Sequence, residues 1–94
     1  MENKVTLKKI DEYFNLTSDA LEVAKRNVSK NKKKEAEEII KMVECYLSDS
    51  LYFKEKKDFV RAYGCLNYAH GWLDAGARLG VFDVDHDNKL FTVD

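Results

Sequence analysis

The side chains best suited to chemistry lie in one stretch. His70, Asp74 and Arg78 follow one another at intervals of four, with Asn67 just before them. On a helix this spacing lines up an imidazole, a carboxylate and a guanidinium along one side, as an acid–base cluster requires. The same spacing also suits a structural histidine beside an ordinary helical Asp–Arg ion pair. His70 drifts toward the apolar edge of the helix, whereas Arg78 sits on its outer face. Arg61 precedes His70 by nine residues, which does not fit the arginine, four to six residues, histidine motif of helical-bundle nucleases. An enzyme using His70 and Asp74 is therefore the weakest of three functional readings.

Two charge runs offer other chemistry. Lys25, Arg26, Lys30, Lys32, Lys33 and Lys34 place six positive charges in ten residues without an acid, which could hold an anion or RNA. The bland alternative is a solvated helix end and loop, and the run has no aromatic residue on which a base could stack. Lys32 to Lys34 also sit against the positive end of the following helix dipole, a mild conflict that favours a function. In the tail, Asp83, Asp85 and Asp87 fall at the first, third and fifth places of a calcium loop, with Asn88 at the sixth, Leu90 at the eighth and Asp94 at the twelfth. The twelfth place lacks the longer glutamate and no exiting helix is expected, so an acidic turn is the better reading and no metal is assigned. No Gly-rich phosphate loop, nucleophile elbow or zinc-type spacing is present, and no cofactor is expected. Cys45 and Cys65 read as buried thiols of a reducing compartment.

The elements that position these residues are helices. Phe59, Leu66, Leu73 and Gly80 are spaced by seven, as are Ala62, Ala69 and Gly76. Together they form a seam of alternating large and small residues, widened by Tyr63, His70 and Ala77. Asp58 is the expected N-cap and Gly80 the expected stop. Leu7, Ile10, Phe14, Thr17, Leu21, Ala24 and Val28 make a second unbroken stripe, which argues for one helix although the weak helix formers from Asn15 to Ser18 could kink it and Thr17 or Ser18 could start a new one. Ala36, Ile40, Val43, Leu47 and Leu51 make a third, with Ile39, Tyr46 and Phe53 alongside. The spacing predicts helices over about 4–29, 32–55 and 58–79, and a tail over 81–94. Short connections make sequential helices antiparallel neighbours. The expectation is one all-α domain, an up-down-up three-helix bundle, closed by a short β-hairpin or extended tail because VFDV and LFTV are β-prone. The tail's seat is expected on the glycine face of the third helix, with Phe82 and Phe91 as anchors.

That face is unusual. An outward helix face is normally charged, yet here it carries Val60, Gly64, Asn67, Tyr68, Gly71 and Ala75, with Arg61, Asp74 and Arg78 as its only charges. Gly64 and Gly71 each cost about 1 kcal/mol relative to Ala inside a helix, which implies something packed closely against the backbone. The 94 residues are 45% hydrophobic and 35% charged, with no proline and a net charge of −1. They provide one modest core, no global field for nucleic acid and no run long enough to span a bilayer. The N-terminal stretch lacks a signal-peptide core.

The stretch KDFVRAYGCLNYAHGWLDAGARLGVF, followed by LFTV, resembles an archaeal family of short proteins classified only as a domain of unknown function. The resemblance covers roughly residues 40 to 93 and is most specific from Tyr68 to Gly76. It implies a compact three-helix protein in a cytoplasmic setting and no reaction. The favoured function is a non-enzymatic interaction module. Its surface would be Gly64, Asn67, Tyr68, Gly71, Asp74 and Arg78, meeting an unknown protein partner or a second copy. RNA or anion binding through the basic run is the alternative.

Overall fold

The computed structural model describes residues 4–85, 87 and 89–92. Three α-helices follow in order: α1 over Leu7–Arg26, α2 over Lys33–Glu55 and α3 over Phe59–Arg78. They form the expected antiparallel up-down-up bundle. α3 is its centre, packing most extensively against α2 and then against α1.

α1 begins later than the stripe suggested because Thr6 caps it, its Oγ1 accepting from the Lys9 amide at 3.2 Å. It runs without a break through Thr17 and Ser18. It also ends earlier, at Arg26. Asn27 turns the chain, donating its side-chain amide to the Val23 carbonyl at 2.7 Å, and Val28 leaves the helix to bridge Phe82. Lys25 and Arg26 occupy the last turn, where cations suit the dipole. In α2 the buried positions are Ala36, Ile39, Val43, Leu47 and Ser50. Ile39, rather than Ile40, is the deeper residue, and Leu51 is 47% exposed. The helix is thus rotated slightly from the expected stripe, which brings Ile39 over the small residues of α3.

Both ends of α3 are built by local hydrogen bonding. At the α2–α3 turn the Asp58 amide donates to Phe53 and the Lys57 amide to Lys54, the paired pattern that closes a helix around a left-handed residue. Lys57 takes that conformation at φ 61°. Asp58 then accepts from the Arg61 amide at 3.1 Å and starts α3. The same closure recurs at the far end, where Val81 donates to Gly76, Gly80 donates to Ala77 and Gly80 has φ 77°. Gly80 is therefore the expected stop.

The tail differs from expectation. No hairpin, and no strand, forms among the described residues. A two-stranded ribbon is marginal by itself in water, and the tail's polar backbone is satisfied elsewhere. Residues 81–83 run antiparallel to the α1–α2 connection, with Ser29 N donating to Val81 O at 2.9 Å and Asp83 N to Asn27 O at 2.8 Å. Val81, Phe82, Val84 and Phe91 join the core. Phe82 and Phe91 are anchors as expected, but Phe82 does not sit on Gly64 or Gly71. Its ring lies over Gly76, where an added Cβ would come within 2.6 Å of it and 3.1 Å of Ile39. Gly76 is thus small to let an aromatic ring onto the backbone.

Candidate functional site

α3 presents two surfaces that the sequence had merged into one. The first is the edge carrying His70, Asp74 and Arg78. His70 is 9% exposed and both its ring nitrogens are engaged. Nε2 lies 2.7 Å from the Leu90 carbonyl. A carbonyl can only accept, so Nε2 carries the proton and donates. In the neutral ring Nδ1 is then the acceptor, and the buried Thr17 hydroxyl donates to it at 3.0 Å. Asp74 Oδ1 accepts from the Thr92 amide at 2.9 Å and lies 3.8 Å from His70 Nε2. Arg78 Nη1 donates to the Thr92 carbonyl at 3.2 Å. The row that resembled an acid–base cluster is a clamp on the main chain of residues 90–92. Its imidazole has no free nitrogen for a substrate, and Asp74 is bound to the tail rather than to Arg78.

Asn67 belongs to this edge as well. Its Oδ1 accepts from the Tyr13 hydroxyl at 2.9 Å. The Tyr13 ring packs against Tyr63 at 5.3 Å and against His70 at 5.8 Å between centroids. Burial, reinforced by Tyr63 and the Asp74 charge, raises the Tyr13 phenol above its ordinary value. The Thr17–His70 and Tyr13–Asn67 bonds were not legible in the sequence, since each joins side chains more than fifty residues apart.

The second surface is the outward face. Gly64 and Gly71 have no atom within 4 Å of where a Cβ would stand. No described residue of the tail covers them. Around them Val60 is 74%, Tyr68 64% and Leu79 77% exposed. Tyr68 stacks on Tyr46 of α2, with centroids 5.3 Å apart and planes 20° apart. These rings, with Asn67, Gly71, Trp72 and Ala75, line a shallow groove of about 420 Å³. Of the six residues expected to form the interaction surface, Gly64, Tyr68 and Gly71 are on this face, Asn67 is at its border, and Asp74 and Arg78 are committed to the tail. Trp72, Tyr46 and Leu79 extend the face. The recurrence of Tyr68, Trp72, Ala75 and Leu79 at helical spacing was the available sequence signal.

The basic run is divided. Lys25 pairs with Glu44 at 3.0 Å and with Glu22 at 3.7 Å, and the Glu44 hydrogen bond raises its pKa. Arg26, Lys30, Lys32, Lys33 and Lys34 are exposed. α2 starts at Lys32 without a side-chain cap, so its first free amides lie among lysines. In the tail, the Asp87 carboxylate accepts from the amides of Lys89 and Leu90, each at 3.1 Å, which makes it a turn-former. No group of three or more potential metal-ligating side chains occurs among the described residues; His86, Asn88 and Asp94 lie outside them. Cys45 and Cys65 are free, and Cys45 is exposed rather than buried. Cys65 is half-buried, with its thiol pKa raised by burial and by Asp49.

No described helix is long and apolar enough to cross a membrane. No curated protein and no solved structure matches the chain. A family model matches residues 12–82, a span that takes in most of α1, the whole of α2 and α3, and the Phe82 anchor. The chain belongs to the family described as "Protein of unknown function (DUF357)".

Proposed function

We propose that this protein is a non-enzymatic protein-interaction module working through the outward face of α3, centred on Gly64, Tyr68 and Gly71 and bordered by Asn67. The observation that carries this reading is the pair of open helix glycines. Each costs about 1 kcal/mol of helix stability relative to Ala, and among the described residues nothing beyond the chain neighbours and the helix's own backbone comes within 4 Å of either Cβ position. Intramolecular packing, which accounts for Gly76, does not account for them. A second polypeptide lying close against the α3 backbone does. The exposed Val60, Tyr68 and Leu79 give such a partner apolar contact, and aromatic residues of this kind supply much of the energy of protein interfaces. A cytoplasmic setting fits the two free thiols.

Gly71→Leu tests the reading. Its Cβ would stand in open space, and the side chain would fill the close approach. Helix content and thermal stability are expected to hold or rise, while partner recovery or self-association falls at least about tenfold, as a clash at the centre of an interface produces. Unchanged mass, stability and partner recovery would show this to be ordinary solvent-facing helix.

RNA or anion binding through Arg26, Lys30, Lys32, Lys33 and Lys34 is the second reading. It is favoured by the uncapped start of α2 in their midst. It requires binding that weakens steeply with salt and disappears when these residues and Lys25 are changed to Gln.

A further inference from the structure

We infer that the His70–Asp74–Arg78 edge of α3 is a binding groove for an extended polypeptide segment, and that residues 90–92 are its tethered, displaceable occupant. The site is distinct from the outward face proposed above.

Its recognition chemistry is a row of donor, acceptor and donor, one helical turn apart. His70 Nε2 donates to the Leu90 carbonyl, Asp74 accepts from the Thr92 amide and Arg78 donates to the Thr92 carbonyl. All three partners are main-chain atoms. The pattern satisfies the carbonyl of one residue and both backbone groups of the residue two places on, which is how a strand is read when it adds to a sheet edge. Here helix side chains take the place of the neighbouring strand. Between the two gripped residues, Phe91 turns inward and is 2% exposed. The groove thus reads backbone direction through the row and an aromatic side chain through its seat.

Thr17 fixes the polarity of the row. Its buried hydroxyl occupies His70 Nδ1, which leaves Nε2 as the donor aimed at the segment. Tyr13 packs beside the imidazole and holds its plane.

The occupant is attached loosely. The described backbone hydrogen bonds of the tail into the α1–α2 connection end at Asp83. From there to Leu90 the described bonds are local: Asp87 N to Val84 O, and the amides of Lys89 and Leu90 to the Asp87 side chain. Among the described residues the segment is held to the body by three hydrogen bonds, the Phe91 ring and the partly buried Leu90, and a unit with so few contacts opens before the helices do. The tether supplies an effective concentration in the millimolar range, which keeps the groove filled in cis.

Two measurements on the full chain test this. In native-state hydrogen exchange, the Thr92 amide is expected to exchange at least about 100-fold faster than the amides of Leu66 and Leu73 in mid-α3, with little dependence on low denaturant, the signature of a sub-global opening. In the second, acetyl-Lys-Leu-Phe-Thr-amide is added to the Phe91→Ala chain, and the resonances of His70, Asp74 and Thr17 are followed. Saturable shifts are expected with an affinity of roughly 0.1 mM, about tenfold weaker on the unmodified chain because the tethered segment competes at millimolar effective concentration. The same peptide with Ala for Phe should give none. Thr92 exchanging at the rate of Leu66 and Leu73 would overturn the inference, as would a folded Phe91→Ala chain that ignores the peptide. The exchange arm needs no substitution, so it can overturn the inference even if Phe91→Ala does not fold.

Discussion

At the scale of single residues, the chemistry of this chain is spent on holding a structure together. Thr17 and His70 are both buried, and their hydrogen bond satisfies the only acceptor nitrogen of the neutral ring. Thr17→Val keeps the shape and removes the donor. It should destabilise the fold by about 1–3 kcal/mol, the penalty for a buried polar group left unpaired, read as a lower urea midpoint with an unchanged slope. Tyr13 gives a pH signature. Its phenol is raised above 10.0 by burial, then by Tyr63 and Asp74, so the folded state favours the protonated form. That contribution is intact below the ordinary value and is lost as pH climbs through the raised one. Urea midpoints taken between about pH 8 and about pH 11 should therefore fall, and less steeply in Tyr13→Phe. The spacing of His70, Asp74 and Arg78 was plain in the sequence. Their partner was not, because it is the backbone of a segment twelve or more residues away, and backbone atoms leave no mark in residue types. Thr17 was equally opaque, since a threonine in an apolar stripe looks like a weak core residue.

At the scale of elements, the three glycines inside α3 have opposite meanings. Gly76 has Phe82 against it, with the ring 2.6 Å from a hypothetical Cβ, whereas Gly64 and Gly71 face open space. Gly76→Ala should destabilise by about 1–3 kcal/mol, as overpacking does. Gly71→Ala should stabilise by about 1 kcal/mol through helix propensity alone. Paired thermal melts would expose the contrast, and equal effects would refute the division of α3 into a packed seam and an open face. The heptad seams made all three helices legible to within a few residues at most ends. α1 was the exception, because Val28 is drawn out of the helix by Phe82, a contact no local window contains. The hairpin failed for a related reason. The β-prone residues of VFDV and LFTV mark a liking for burial on a pleated surface, and here Val81, Phe82, Val84 and Phe91 find burial on the helices instead.

At the scale of the whole molecule, α3 is shared between three roles. Its inner seam organises α1 and α2, one edge grips the tail, and its outward face carries large exposed apolar side chains. That a face of α3 was unusual could be read from Gly64 and Gly71. Which neighbours complete it could not, because Tyr46 reaches Tyr68 from another helix. Contact between this face and another polypeptide can be tested by a site-resolved crosslink. A photoreactive phenylalanine analogue would replace Tyr68, with Glu22 on α1 as the exposed comparison site, and both chains would be irradiated in native lysate. The account predicts one discrete crosslinked species from position 68, either a heterologous protein or a second copy, and none from position 22. No crosslink from position 68, or the same products from both positions, would contradict it.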